Sequence, residues 1–403
     1  MKYLPTLNQY ENAIVKNAEW FIQHQKEEGK IDVEGDEFYG LKGDATLVGH
    51  SVTVRMYAYL LTNDQKYIDS VKKSLKWLAD RQDPDGGWKH DTAFTLDGAQ
   101  CVFEGFNTYQ RITKDKQFDT IMRKSADRMV SGTVDEQGKL LLPNVIEVGE
   151  YAHFSMLAWK LTGDNKYKLA GEKILNDIQK NFDEQEGFWV PFDLYNEKYQ
   201  SKHGKESCKQ HIMRWAASDI PLKGKLAAEL AGKMLADVVV ESYPQYAMNM
   251  MDSECLLDEL DGSCTFPTLR KQTEKAIEWI ERNCKGPFPG TVTESRKEKN
   301  GRKDVYPIKI INDSVMASTW PACLLLLGLC GLNEKKYHEK AKEIANHLLT
   351  IQDEHGGFFN FQKQDGSFLP LQSGNVNYYV CMALWFFNEV YEGGSKKLYT
   401  EKV

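Results

Sequence analysis

The chain has 403 residues, 41% hydrophobic and 27% charged, with nine Trp, nineteen Tyr and eighteen Phe. That is the make-up of a chain that folds around a core, and it excludes a disordered or fibrous polymer. A formal net charge of −7 argues against a nucleic-acid partner, because phosphate binding needs clustered Lys and Arg.

The opening segment, "MKYLPTLNQYENAIV", lacks an apolar core of roughly 7–15 residues and a small-residue cleavage site, so no signal peptide is read there. The longest apolar run, around Ala322 to Leu329, is too short for a membrane span. Eight cysteines occur without a CxxC, and Cys101, Cys323, Cys330 and Cys381 sit on apolar helical patterns. Reduced, buried thiols in a cytoplasmic protein are expected.

Along the chain, one pattern returns. Trp20-Phe21, Gln25, Gly29 and Ile31 form its first copy, and Trp77-Leu78, Gln82, Gly86 and Trp88 its second. A third copy runs His347-Leu348, Gln352, Gly356 and Phe358, with weaker echoes at Asp183, Gly187 and Trp189 and at Trp279-Ile280 with Phe288. A second phrase, "LTNDQKYIDSV", recurs as "ITKDKQFDTIM", "LTGDNKYKLAG" and "LNEKKYHEKA". In it Asp64, Asp115 and Asp164 are placed to cap helices, and the Tyr or Phe that follows lies on the buried stripe. Repeats spaced by roughly 50 residues imply one supersecondary unit stacked several times.

The unit reads as a polar-faced outer helix, a Gly turn and an apolar inner helix. Inner helices are expected at about 44–61, 95–113, 147–162, 312–331 and 374–393, because these stretches are apolar around most of their circumference and so buried. Two further outer helices fit near 222–240 and 266–284, with poorly patterned inner partners near 205–217 and 246–261. The expected fold is all-α: a single α/α toroid over residues 1–403, of six helical hairpins or seven. Strand signals are weak, apart from a possible short hairpin at Gly356 to Pro370. Phe288 to Lys309 reads as an irregular loop, and its basic run at 296–303 as a solvated stretch rather than a binding patch.

The Gln-xxx-Gly-x-Trp repeat resembles that of the squalene and oxidosqualene cyclases, and more loosely that of the protein prenyltransferase β-subunits. Only Gln82-Gly86-Trp88 matches closely. The resemblance implies an α/α toroid, an architecture shared with six-hairpin glycosidases, polysaccharide lyases and several sugar epimerases. It does not carry terpene chemistry, since the Asp-x-Asp-Asp acid of those cyclases is absent; Asp32-Val33-Glu34-Gly35-Asp36-Glu37 has the wrong spacing. The zinc ligands of the prenyltransferases and lanthionine cyclases are not recognisable, nor is the His-Asp pair of the unsaturated-uronide hydrolases. No metal or cofactor is expected.

In a toroid the turns leading into inner helices form the mouth, where free helix N–H groups point. Polar residues there are the candidates for chemistry. Asp97 and Asp313 stand where an N-cap would, and capping is the simpler reading of each. Glu147 and Glu150 share a helical face with little solvent to spare, and paired acids can separate in pKa and divide the roles of proton donor and charged partner. Glu150, Tyr151 and His153 offer carboxylate, phenol and imidazole within one turn, a set suited to proton abstraction. Asp97, Glu147, Glu150, His153 and Asp313 are therefore the candidate catalytic residues.

Asp44, His50, Arg55, Tyr151, Trp189, Trp320, Asn377 and Tyr378 are the candidate substrate-binding set. His90, Asp91, Glu104, His211, Arg214, Asn312, Asn375 and Tyr379 are further polar or aromatic residues at the same level. Trp88 ends the repeat motif and is expected in the core. The preferred function is a hydrolase, lyase or uronate epimerase acting on an oligosaccharide by acid/base catalysis. An isoprenoid cyclase or transferase is the second reading, and a non-catalytic toroid that binds glycan or peptide the third.

Overall fold

The computed structural model describes residues 7–39, 45–88, 97–133, 145–180, 182–183, 188–189, 271–272, 274–275, 277–278, 308–311, 314–332, 334–363 and 365–395. Of the readings above, Asp44, His90, Asp91, His211, Arg214, Asn312, Asp313, the basic run at 296–303 and the helices expected between 205 and 261 lie outside them.

Ten α-helices are delimited among the described residues: α1 (Gln9–Gln23), α2 (Ala45–Thr62), α3 (Gln65–Ala79), α4 (Asp97–Thr113), α5 (Asp119–Thr133), α6 (Val145–Thr162), α7 (Asn165–Lys180), α8 (Thr319–Leu332), α9 (His338–Thr350) and α10 (Gly374–Val390). Odd-numbered helices up to α7, together with α9, are outer; α2, α4, α6, α8 and α10 are inner. The contrast is written in their burial. α3 hides a stripe of Tyr67, Ile68, Val71, Leu75 and Leu78, whereas α10 is buried at every residue from Gly374 to Glu389. Neighbouring inner helices pack in succession, α6 on α4, α4 on α2, α2 on α10 and α10 on α8. Helical backbone also appears at 271–272, 274–275 and 277–278, and Gln272 donates to the Gln179 carbonyl at the end of α7.

Handovers between helices follow the second repeat phrase. Thr62, Thr113 and Thr162 each bond back to the carbonyl four residues earlier. The next residue, Asn63, Lys114 or Gly163, turns to positive φ (56°, 62° and 72°), ending the helix in the left-handed conformation. Asp64, Asp115 and Asp164 then accept backbone N–H groups from Lys66, Gln117 and Lys166, as capping chemistry requires.

The first repeat is a docking turn. Gln82 Nε2 donates to the Gly86 carbonyl of its own turn (3.0 Å) and to the Ile121 carbonyl of α5 (2.9 Å). Gly86, at φ 93°, lies so close to the Lys124 carbonyl of α5 that a Cβ would collide with it. The same pair of contacts joins Gln25 and Gly29 to Ser70 and Lys73 of α3, and Gln352 and Gly356 to Ala13 and Lys16 of α1. Each of these three turns thus locks one outer helix to another, and the Gln352 turn locks onto the first helix. Asn8, Glu11, Asn388 and Ser395 add a hydrogen-bonded tie between the chain ends. Trp88 is buried and donates to the Leu78 carbonyl, so Gln82 and Trp88 are structural.

One expected element is corrected. The inner helix expected from about 312 begins at Thr319. Before it, β3 (Ile308–Ile311) and β4 (Ser314–Ser318) form a hairpin with Ile311 opposite Ser314, and β5 (Phe361–Lys363) pairs with β4. β-Branched Ile308, Ile310, Ile311 and Val315 favour strand, and the partner strand arrives from more than forty residues downstream. A second small hairpin pairs β1 (Phe182–Asp183) with β2 (Phe188–Trp189).

Candidate active site

Three inner helices bring a carboxyl, a phenol and an imidazole together. α2 supplies His50, α4 supplies Glu104 and α10 supplies Tyr378, all in the N-terminal halves of their helices and all buried. Two glycines permit the approach: a Cβ at Gly49 would strike the Cys101 backbone, and one at Gly105 the Gly49 backbone. The α2 and α4 backbones therefore touch at the residues adjoining His50 and Glu104.

The Tyr378 hydroxyl donates to Glu104 Oε2 at 2.6 Å. Its ring lies flat against the His50 imidazole, with centroids 3.9 Å apart and planes 4° from parallel. Tyr379 stands edge-on to both rings. Burial raises the Glu104 pKa to about 7, and the Tyr378 hydrogen bond only partly offsets this. Burial also lowers the His50 pKa to about 3 against an opposing hydrogen bond to Asn375, so the imidazole is neutral at physiological pH. His50 Nδ1 has no hydrogen-bond partner among the described residues. Burial and the neighbouring Glu104 push the Tyr378 phenol well above its usual range, leaving it a donor. The cluster holds one carboxyl that titrates near neutrality, beside neutral hydrogen-bonding groups.

Two sequence expectations are corrected by direction. Arg55 is fully buried, but its guanidinium is taken up by Ser51, Ser70 and Ser74 at 2.6–2.9 Å and by the Ser51 carbonyl. It staples α2 to α3. Asn377 clamps the α10 start to the Gly356 turn: it donates to the Phe358 and Ser373 carbonyls and accepts from Phe358 N–H and Asn17. Both are structural because their helix positions point to the outer layer.

Asp97 opens α4, Glu147, Glu150, Tyr151 and His153 lie on α6, Trp189 ends β2 and Trp320 is the second residue of α8; their side chains are outside the described set. Glu104 is the residue that sequence reasoning passed over when choosing catalytic groups. The signal available for it was an acid in "AQCVFEGFNTYQ", a stretch otherwise almost uncharged. Among the described residues no group of three His, Cys, Asp or Glu stands close enough to hold a metal ion, and no helix is long and apolar enough to cross a membrane.

Helix pairing, inner-to-inner succession and the turn that locks onto α1 define the architecture as an α/α toroid, that of the six-hairpin glycosidases and their structural relatives. Similar solved structures include an unsaturated glucuronyl hydrolase specific for heparin, at TM-score 0.62 and 13% identity over 96% of this chain and 99% of that one. Cellobiose 2-epimerase from Bacillus thermoamylovorans matches at TM-score 0.61 and 12% identity, over 95% and 100% of the two chains. A D-mannose isomerase matches at 0.60 and 12%, over 94% and 97%. No protein-family model matches the sequence, and no curated protein matches it in sequence. At such identities the likeness carries the fold.

Proposed function

We propose that this chain is a carbohydrate-active enzyme working by acid/base catalysis on a sugar held against the His50, Glu104 and Tyr378 cluster. The observation that supports this best is Glu104, a buried inner-helix carboxyl with a pKa near 7, able to give or take a proton at neutral pH. Tyr378 fixes the carboxyl by its hydrogen bond. His50, neutral and stacked on Tyr378, offers a hydrogen bond to a hydroxyl or carbonyl oxygen and is too weakly basic to compete for the proton.

Asp97 and the α6 set Glu147, Glu150, Tyr151 and His153 are proposed as the second acid/base group and its companions, because α6 packs against α4. The fold's occurrence in an epimerase, a hydrolase and an isomerase supports a sugar substrate by analogy. A cytoplasmic location fits the buried thiols Cys101, Cys323, Cys330 and Cys381.

The test is incubation with a panel of aldoses and disaccharides in D2O, followed by NMR for bond cleavage, a new epimer or deuterium at carbon. Glu104→Gln should lower turnover by about a hundredfold or more while the circular dichroism is kept. Absence of product from every sugar, or full turnover by the variant, would sink the proposal.

A further inference from the structure

The acidic run Asp32-Val33-Glu34-Gly35-Asp36-Glu37, whose spacing excludes a cyclase acid, holds one carboxylate that is wholly buried. Asp36 is 0% exposed, whereas Asp32 is half-buried and pairs with Lys26, and Glu34 is exposed. A carboxylate at that depth is costly unless it is held, and the start of α10 holds it. We propose that Asp36 is a positioning residue for the candidate site: by gripping the first peptide of α10 it keeps the Tyr378 hydroxyl on Glu104. The inference rests on the reading of Glu104 as an acid/base group and adds the residue that aligns it.

Asp36 lies in the 3-10 turn Glu34–Tyr39, which packs against α10. Its Oδ1 accepts the Gly374 N–H at 2.8 Å. Two glycines permit the approach: a Cβ at Gly35 would strike the Gln372 carbonyl, and one at Gly374 would lie 3.3 Å from Asp36 Oδ2. Ser373, the N-cap, accepts the Val376 N–H at 3.2 Å. Asp36 and Ser373 thus divide donors that a helix leaves free at its start. The negative charge also suits that end of the helix dipole.

Gly374 stands one turn before Tyr378. Within α10 the carbonyl of residue 374 receives the N–H of residue 378, so Asp36 and Tyr378 hold opposite ends of one residue's backbone. The Tyr378 bond to Glu104 is 2.6 Å long, and a slip of about 1 Å takes such a pair beyond hydrogen-bond range. Stacking on His50 at 3.9 Å does not prevent the slip, because stacked rings tolerate offset. Ser373 and Asn377 bond the same first turn to itself and to its surroundings. Removing Asp36 therefore leaves the turn helical and releases its alignment.

The experiment follows the Tyr378 hydroxyl proton by 1H NMR, assigned by its absence from Tyr378→Phe. A short bond to a carboxyl in a buried site holds this proton downfield and slows its exchange. Asp36→Ala removes the acceptor for Gly374, whereas Asp36→Asn keeps an oxygen there. In Asp36→Ala the resonance should move upfield or vanish by exchange while the circular dichroism is kept; in Asp36→Asn it should stay near the wild-type position. On any sugar that the wild type turns over, Asp36→Ala should lower kcat on the order of a hundredfold, with KM changed less than about twofold. Asp36→Asn should restore most of the loss. An unmoved resonance in folded Asp36→Ala overturns the inference, as does an Asp36→Asn variant as impaired as Asp36→Ala. Should Asp36→Ala fail to fold, Gly374→Ala decides, because its methyl presses on Asp36 Oδ2; an unmoved resonance there overturns the inference equally. The resonance needs no substrate, so a protein inert to every sugar loses the sugar reading while the alignment is still decided.

Discussion

Replacing Glu104 by Gln should stabilise the protein above pH 7 even as it removes turnover. Burial lifts the carboxyl from its ordinary 4.5 to about 7, so the folded protein holds a proton that the unfolded chain releases. For an acid with a raised folded pKa, the stabilising contribution is complete below pH 4.5 and is lost as pH climbs to 7. Two and a half pH units at about 1.36 kcal/mol each give roughly 3 kcal/mol of stability surrendered over that window. An amide keeps an acceptor for Tyr378 and never ionises, although its extra N–H groups need partners at about 1 kcal/mol apiece. Urea unfolding at pH 4.5, 6 and 8 on both proteins isolates the effect, since His50 and every other titrating group cancel in the difference. The variant should gain on the wild type progressively, reaching on the order of 2–3 kcal/mol at pH 8. A difference that stays constant with pH, or grows in the wild type's favour, would refute the reasoning.

His50 has the opposite sign. With its folded pKa lowered to about 3, its contribution is complete above pH 6.5 and falls as acid charges the unfolded imidazole. His50→Phe, which keeps the ring stacked on Tyr378, should flatten the stability profile between pH 6.5 and 3 relative to the wild type; an unchanged slope in urea titrations would contradict this. Gly86→Ala combines a positive φ with a collision against the Lys124 carbonyl and should cost several kcal/mol. Gly366→Ala, at φ 84° with open space around the new methyl, should cost only the left-handed strain of about 1–2 kcal/mol; equal losses in melting temperature would show that docking adds nothing. Trp88→Ala should cost about 3–5 kcal/mol as a buried aromatic deletion, and an unchanged melting temperature would show that its packing is not structural.

What was legible in the sequence was local. Asp64, Asp115 and Asp164 announce helix starts because a cap is read from its own next few residues. The inner helices containing His50, Glu104 and Tyr378 show themselves as apolar stretches because burial on all sides leaves no polar stripe. What depends on distant partners was not legible. The β4 strand is completed by β5, and a helix was expected in its place because "SVMAST" runs straight into an apolar helix. Side-chain direction was equally hidden. Arg55 and His50 lie five residues apart on one buried helix, yet one turns to serines on α3 and the other to Tyr378. Glu104 differs from them again: only its neighbour Gly105, meeting Gly49 across the helix crossing, marks the point where two inner helices can share a site.

The repeat that first suggested a terpene-cyclase relationship is explained without chemistry. In each docked copy the Gln binds the carbonyl at one position of the neighbouring outer helix, and the Gly meets the carbonyl three residues later: Ser70 and Lys73, Ile121 and Lys124, Ala13 and Lys16. Those two contacts fix the turn to a helical register, and so fix the angle between hairpins. A further copy, Gln362, Gly366 and Phe368, follows directly after the third. It makes the same internal bond from Gln362 to Gly366 and the same bridge from Gln362 to Phe368, but no described atom lies within reach of a Cβ at Gly366. The turn therefore forms from its own residues, and docking is a separate use of it. A motif that holds its shape with or without a helix beside it is suited to recur wherever outer helices must be spaced around a ring. Its presence is accounted for by that geometry, whatever reaction the inner helices carry.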